Sequence, residues 1–404
     1  MDKGFKSPLN ILMVTNWFHP DKFGGSERII YELSKRLVNR GHKVTVITQR
    51  LKGLSGEEII DGIKIVRYPV NHKTPFSFYL STFLNAKKQF LKLSSQTDFN
   101  IIHFHQIASA FSLLSHEGCK KFSKIFSFYA PYYLEFSDKV GFKGRNSLAN
   151  KLFSLIFKSI EKYNLKRVDA IIVLSNFTKK QIDEIDSSLN KKTFIIPPGV
   201  DLERFYPVSD KSCMKRSLNL PDNKIVLFTV RRLVERMGIE NLIKAMTSVR
   251  KEIKNVLLII GGDGPLLLKF RTMVDELNLE SYVRLVGPIE EEKLPLYYQA
   301  SDLFVLPTRS LEGFGMVTIE ALASGLPVLG TPVGGTVEIL GGLDSRLLFT
   351  DSSPESIAEK IIEFYTNRKE FELIGEKGRK YAEENYNWNK NIEVIESQYY
   401  SLLS

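Results

Sequence analysis

Glu312-Gly-Phe-Gly-Met-Val-Thr-Ile-Glu320, running on into Ala321-Leu-Ala-Ser-Gly-Leu-Pro-Val328, decides the fold of this chain. Two carboxylates stand eight residues apart, with glycines between them and an apolar helix pattern beginning inside the interval. Just upstream, Asp302-Leu-Phe-Val-Leu-Pro307 is an apolar run closed by proline, the mark of a buried strand. The order is therefore strand, glycine-rich loop, helix. Such a unit aims backbone N–H groups and the positive end of a helix at one point, which suits a phosphate. Glu312 lies in the loop and Glu320 about one turn inside the helix. Carboxylates accept hydrogen bonds from paired hydroxyls, so the two can hold sugar rings on either side of a diphosphate. An exposed loop glutamate plus a solvated helix glutamate is the competing reading, and spacing alone leaves both open.

Outward from this stretch the chain alternates strand and helix. Leu9–Thr15, Lys43–Thr48, Asp61–Arg67, Ile101–His105, Lys124–Phe128, Ala170–Leu174 and Thr193–Ile196 read as strands. Glu27–Arg40 reads as a helix with Ile29, Ile30, Leu33, Leu37 and Val38 on one face and Gly41 beyond its end. Pro197-Pro-Gly-Val-Asp201 and Pro207 make a stiff crossing without helical periodicity. A second series follows: Ile225–Val230, Asn255–Ile260, Val283–Val286, Leu303–Leu306, Pro327–Gly330 and Arg346–Phe349. Strands separated by helices imply parallel sheets covered on both faces. Two doubly wound domains are expected, 1–200 and 201–387, facing each other across a cleft at their strand C-termini. The final segment, 388–404, reads as a helix.

The 404 residues amount to about two to three domains by length. No uncharged apolar run is long enough to span a bilayer, and Met1–Pro8 lacks a signal-peptide core. Cys119 and Cys213, widely spaced, make neither a disulfide framework nor a metal site, so a reducing cytoplasm is expected. Net charge is +10, with 31 basic against 16 acidic residues in 1–200 and 25 against 30 in 201–404. The basic first half is suited to an anionic partner. No zinc finger, RNP-like signature or long basic run points to nucleic acid, so lipid head groups or an anionic glycan fit better. Lys139–Lys166 interleaves Lys143, Arg145, Lys151, Lys158, Lys162 and Lys166 with Leu148, Leu152, Phe153, Leu155, Ile156 and Phe157. It reads either as a basic amphipathic helix on an anionic membrane or as one packed on its own sheet.

Several ordered motifs together resemble the E-x7-E family-4 retaining glycosyltransferases, which have the GT-B fold. Beside the Glu312–Glu320 segment these are Pro20–Glu27 with its Gly24-Gly25 pair, Val168–Ser175, Ile196–Phe205, Arg231-Arg232-Leu233, Gly261–Pro265 and Gly287. The resemblance covers nearly the whole chain. It implies two Rossmann-like domains, an acceptor side in the first and a nucleotide-sugar donor side in the second, with the last helix crossing back onto the first. It implies that Glu312 contacts donor-sugar hydroxyls and Glu320 the ribose. The amides of Gly313, Phe314, Gly315 and Met316 would face sugar and phosphates. It further implies retention by front-face attack, with no cofactor beyond the donor itself and a glycan or lipid-linked acceptor.

Arg232 follows the strand Ile225–Val230, and guanidinium matches phosphate oxygens. In the resembled family a lysine five residues later also binds the diphosphate; here that position holds Met237. Arg231 or Arg236 is expected to substitute, each being readable also as a surface residue. The family's donor-contacting histidine is replaced by Tyr129, which keeps a hydroxyl but does not titrate near neutrality. His105, ending its strand, is expected to point to the cleft mouth. Gly24 and Gly25 would let backbone approach a ligand, or only make a turn. No Asp-x-Asp pair or metal-ligand cluster occurs, so metal-independent transfer is expected. A non-catalytic subunit that binds sugar nucleotide or glycan is the rival from another class; phosphorylase- or epimerase-like activity is a further enzyme alternative.

Overall fold

A computed structural model of the chain describes residues 7–21, 24–135 and 148–404, with backbone alone at 148–150. Lys22 and Phe23 of the first glycine loop, and Lys139, Lys143, Arg145 and the side chain of Leu148, lie outside the described residues. By its internal contacts the chain divides into residues 1–196 with 391–404, and residues 197–390.

In the first unit, β1 (Asn10–Val14), β2 (Lys43–Arg50), β4 (Ile63–Pro69), β5 (Ile101–Phe104), β6 (Ser123–Phe128), β7 (Ala170–Val173) and β8 (Thr193–Ile195) are parallel. β3 (Glu57–Ile60) runs antiparallel along β4 at the sheet edge, in an order β3-β4-β2-β1-β5-β6-β7-β8. The winding leaves β1 in both directions, so the gap between β1 and β5 is the switch point, where a doubly wound sheet offers ligands the ends of its strands. β1, β5, β6 and β7 are buried almost throughout because helices cover both faces.

In the second unit, β9 (Ile225–Val230), β10 (Val256–Gly261), β11 (Val283–Gly287), β12 (Leu303–Leu306) and β13 (Val328–Gly330) form a parallel sheet in the order β11-β10-β9-β12-β13. Its switch point lies between β9 and β12.

One reading of the sequence is corrected here. Arg346–Phe349 is not a strand. The Asp344 carboxylate accepts from the Arg346 N–H at 3.0 Å and starts a 3-10 turn, leaving a single bridge between Leu348 and Gly330. The connections over Leu51–Glu58 and Asn71–Ser81 carry regular structure of their own: β3 takes Glu57 onward, and Thr74 caps a helix over Pro75–Ser94. The Thr74 hydroxyl accepts from the Ser77 N–H at 3.0 Å, a satisfied N-terminus ahead of proline.

The last helix, Trp388–Ser401, ends against the first unit. Tyr399 is fully buried, with its hydroxyl 2.7 Å from His103 Nδ1. Glu396 accepts from Arg40, at 2.9 Å from its Nε, and lies 2.6 Å from His42 Nε2. Because His42 Nδ1 accepts from the Leu9 N–H, its Nε2 carries the proton toward Glu396.

Candidate active site

The second unit gathers charge at its switch point. Glu312, in the loop after β12, is 8 % exposed and accepts from the Arg231 guanidinium and from the Thr308 hydroxyl at 3.1 Å. Arg231 leaves the end of β9, its own N–H donating to Gly261 O at 3.1 Å. Its Nη2 also lies 2.8 Å from the sulfur of buried Met237. The position that lacks a lysine therefore sits against a guanidinium delivered from six residues upstream.

Arg236 donates from Nη1 to the Leu311 carbonyl at 2.9 Å, which holds Leu311 in a left-handed conformation at φ +57°. That conformation is costly for leucine, so Arg236 acts as a clamp on the Glu312 loop. Both arginines expected to stand in for the missing lysine are engaged within the protein. Burial beside Glu312 draws Arg231 into an ion pair, and an unsatisfied loop carbonyl takes Arg236. Arg232 differs: it is exposed, and its guanidinium makes no hydrogen bond or ion pair among the described residues.

Glu320 lies in the helix Met316–Ala323, 1 % exposed, and accepts from the Tyr298 hydroxyl at 2.9 Å. Tyr298, from the helix Leu294–Ala300, is itself buried against Phe205, Phe228 and Phe304. The helices Ile239–Glu252, Met316–Ala323 and Gly335–Leu343 all begin at glycine, and none has a side-chain cap. Uncapped first turns present backbone N–H groups and the positive end of the dipole to an anion. Gly315, at φ +101°, permits the sharp entry to Met316–Ala323. Gly334, at φ +61°, lies so close to the Glu312 carbonyl that a Cβ would stand 1.9 Å from the oxygen. Any side chain there would push Glu312 off Arg231. Phe314 is buried edge-on to Tyr386 at 5.5 Å and fixes the middle of the loop.

Among the described residues, the first unit's switch point is built from neutral groups and the acid Glu27. The Asn16 N–H donates to Gln106 Oε1 at 3.0 Å, and Asn16 Oδ1 accepts from the Ser109 N–H at 3.1 Å. Glu27, in the first turn of the helix Gly25–Asn39, is buried and accepts from the Ser26 hydroxyl at 2.9 Å. Gly24 caps that helix in an extended conformation. The loop before it is anchored by Asp21, which takes two hydrogen bonds from buried Arg67, at 2.6 and 2.7 Å.

His105 is corrected from cleft-facing to interior. It is 2 % exposed, stacked on His103 at 4.2 Å, with Nδ1 2.8 Å from the Tyr129 hydroxyl and Nε2 3.4 Å from Met13 sulfur. Packing between His103, Tyr129 and Met13 buries the ring although β5 ends at the switch point. Burial, reinforced by His103, holds the His105 imidazole neutral well below its ordinary range. Burial likewise raises the Tyr129 phenol above its usual value.

Two family models match this chain: Glycosyltransferase Family 4 over residues 23–204 and Glycosyl transferases group 1 over residues 210–381. The chain belongs to the family-4 glycosyltransferases of the GT-B fold. The phosphatidylinositol N-acetylglucosaminyltransferase GPI3 subunit of Saccharomyces cerevisiae is 28 % identical over 337 residues, covering 82 % of this chain and 70 % of the yeast one. The GDP-mannose-dependent alpha-(1-6)-phosphatidylinositol monomannoside mannosyltransferase of Mycobacterium tuberculosis is 23 % identical, covering 94 % and 95 % of the two chains. Among solved structures, sucrose-phosphate synthase from Thermosynechococcus elongatus superposes with a TM-score of 0.81 at 22 % identity, over 98 % and 99 %. Anabaena HepE in complex with UDP and glucose gives 0.78 at 17 %, over 97 % and 100 %.

Within this glycosyltransferase the structure joins Arg231 to Glu312 and His105 to Tyr129, and clamps the Glu312 loop with Arg236. Tyr298 and the Gly334-Gly335 pair escaped the sequence reading. The glycine pair repeats the strand–Gly-Gly–helix signal of Gly24-Gly25 and was there to be read. Tyr298 left no signal, since an aromatic on a short helix reads as core. Among the described residues, no cluster of three or more His, Cys, Asp or Glu could hold a metal ion.

Proposed function

We propose that this glycosyltransferase moves a sugar, with retention and without a metal ion, from a nucleotide-diphosphate sugar to a glycan or lipid-linked acceptor. Its setting is cell-envelope or polysaccharide synthesis at the cytoplasmic face of the membrane. One observation supports it most: Arg232, uncommitted and exposed, leaves the end of β9 beside the loop after β12 that carries the buried Glu312 carboxylate, with buried Glu320 in the helix that follows.

In this reading Arg232 and the uncapped helix starts take the charge that develops on the diphosphate. Glu320 orients the ribose, while Glu312 and the amides of Gly313–Met316 orient the donor sugar. The acceptor oxygen attacks the anomeric carbon from the face the diphosphate leaves. The carbon–oxygen bond to phosphate breaks as the new glycosidic bond forms, and the acceptor's proton passes to the departing phosphate oxygen. Gly24-Gly25 belongs to the donor-side loop of the first unit, and Tyr129, at the family's donor-contacting position with neutral His105 behind it, positions sugar hydroxyls without moving a proton. The phosphatidylinositol acceptors in the names of the yeast and mycobacterial relatives support the lipid-linked class.

The test is a panel of UDP- and GDP-sugars, scored by thermal shift, by released nucleotide and by the anomeric configuration of the product. Arg232→Ala lowers turnover by about 2.7–4 kcal/mol in the barrier. Glu320→Ala weakens free-nucleotide binding by about 1.5–3 kcal/mol. A native protein that binds donor and turns over none of the panel is the non-catalytic subunit instead.

A further inference from the structure

The first unit exposes an apolar face on two neighbouring helices. On Pro75–Ser94, Phe76, Leu80 and Leu84 are 77, 47 and 54 % exposed and recur every four residues, so they form one stripe. On Leu148–Lys166, Leu152, Leu155 and Ile156 are 58, 64 and 44 % exposed and likewise share a side. The helices touch through buried rings: those of Tyr79 and Phe157 are 5.1 Å apart, and both meet Tyr132.

Among the described residues of these two helices, the exposed charge has one sign. Pro75–Ser94 contains no acidic residue, and the one acid of Leu148–Lys166, Glu161, is 1 % exposed. Lys88 and Lys151 are exposed beside the two stripes, and Lys158 lies over the Tyr133 ring at 5.5 Å. Lys162 and Lys166 are already spent on Asp186. A basic rim around protruding leucines fits the boundary between acyl chains and anionic head groups. A second copy of the chain fits poorly, because a two-fold pairing would bring lysines against lysines. Among the described residues no helix is long and apolar enough to cross a membrane, so contact would be along the surface.

A run of rings connects the face to the switch point. Trp17, in the loop after β1, stacks on His72 at 6.0 Å; His72 meets Phe78 at 5.6 Å, and Phe78 meets Tyr79 at 5.1 Å. We infer that the two-helix face docks on an anionic lipid bilayer, with Phe76 and the leucines entering the head-group region. The aromatic run then guides an acceptor's head group toward the loop after β1 while its lipid tail stays in the bilayer. This deepens the lipid-linked reading above and rests on it for the acceptor alone.

The experiment is co-sedimentation of the full chain with vesicles of phosphatidylcholine alone and of phosphatidylcholine mixed with phosphatidylglycerol. The expected result is binding to the mixed vesicles that falls with salt, since exposed charges are screened within about 10 Å at 0.1 M. Leu80→Glu and Leu155→Glu each lower the partition coefficient about tenfold, and Lys88→Glu about fivefold. Nucleotide binding by calorimetry and the thermal midpoint stay at native values. If a glutamate variant unfolds, Leu80→Ser with Leu155→Ser repeats the measurement.

Equal partition of native protein and variants overturns the inference, as does a dimer in sedimentation velocity that these substitutions dissolve. Vesicle binding without any transfer would sink the catalytic reading and leave the docking face standing. Transfer to a water-soluble acceptor without vesicle binding would do the reverse.

Discussion

In the second unit, the loops that leave β9 and β12 meet through a buried ion pair, Arg231 with Glu312. In the first, the loops that leave β1 and β5 meet through the amides of Asn16 and Gln106. Both meetings occur at switch points of doubly wound sheets. The second unit concentrates full charges there and leaves one more guanidinium, Arg232, unspent. The first unit keeps His103 and His105 neutral, with burial lowering His103 to about 3. Under the proposed function, the difference matches two tasks of a glycosyltransferase. A diphosphate needs cations and amide N–H groups, while a hydroxyl acceptor needs oriented neutral groups.

The largest test of this contrast removes the cation from the pair. Arg231→Met leaves the Glu312 carboxylate buried without its ion partner, at a cost of about 3–5 kcal/mol in stability. Hydrogen exchange of β9 and β12 should report that loss, with β1 and β5 unchanged. Adding Met237→Lys brings an ammonium to the place where the guanidinium touches the sulfur, and should recover most of the loss. A double mutant no more stable than Arg231→Met would show that the second site does not depend on a cation at that spot.

The first unit carries its own ionisable strain in Glu161. One oxygen accepts from the Tyr132 N–H at 3.1 Å, the other has no partner among the described residues, and burial pushes the carboxyl up to about 8. The folded state therefore binds a proton that the unfolded chain releases near 4.5. Its stabilising contribution is complete below that value and is lost as pH rises through 8. Glu161→Gln keeps the acceptor for Tyr132 and removes the proton. It should raise stability by about 2 kcal/mol at pH 8 and change nothing at pH 4, read from paired denaturant titrations. An equal gain at both values would place the effect in packing rather than in charge.

The smallest expected effect separates support from structure. Tyr298→Phe deletes one hydroxyl from Glu320 and leaves the ring contacts with Phe205, Phe228 and Phe304 in place. Free-nucleotide affinity should fall by about 1 kcal/mol with the thermal midpoint nearly unmoved. An affinity equal to native would mean that Glu320 is oriented by its helix alone.

The second unit was the more legible in the sequence because its chemistry is charged. Glu312, Glu320 and Arg232 stand out among apolar strands and glycines, and their order carries the family resemblance. Neutral networks leave no such contrast. Asn16, Gln106 and Tyr298 are ordinary loop or core residues until the sheet brings their partners near, across |i−j| of 90 for Asn16 with Gln106. β3 escaped for a related reason: four residues at a sheet edge alternate too briefly to be told from a loop.

Sequence alone determined the alternation of strand and helix, the restart after Pro197-Pro198, and the strand–glycine–helix unit around Glu312. Those follow from local periodicity and from residues whose backbone preferences act over a few positions. Only the tertiary structure decided the fate of each cation and ring. Arg231, Arg232 and Arg236 carry the same guanidinium, and the sequence does not say which partner each one takes. One is neutralised by a carboxylate 81 residues away, one clamps a carbonyl 75 residues away, and one is left to solvent. His105 became interior because β1 and β6 close around β5. Burial and pairing are properties of distant segments brought together, and those properties set the charge that each group brings to the chemistry.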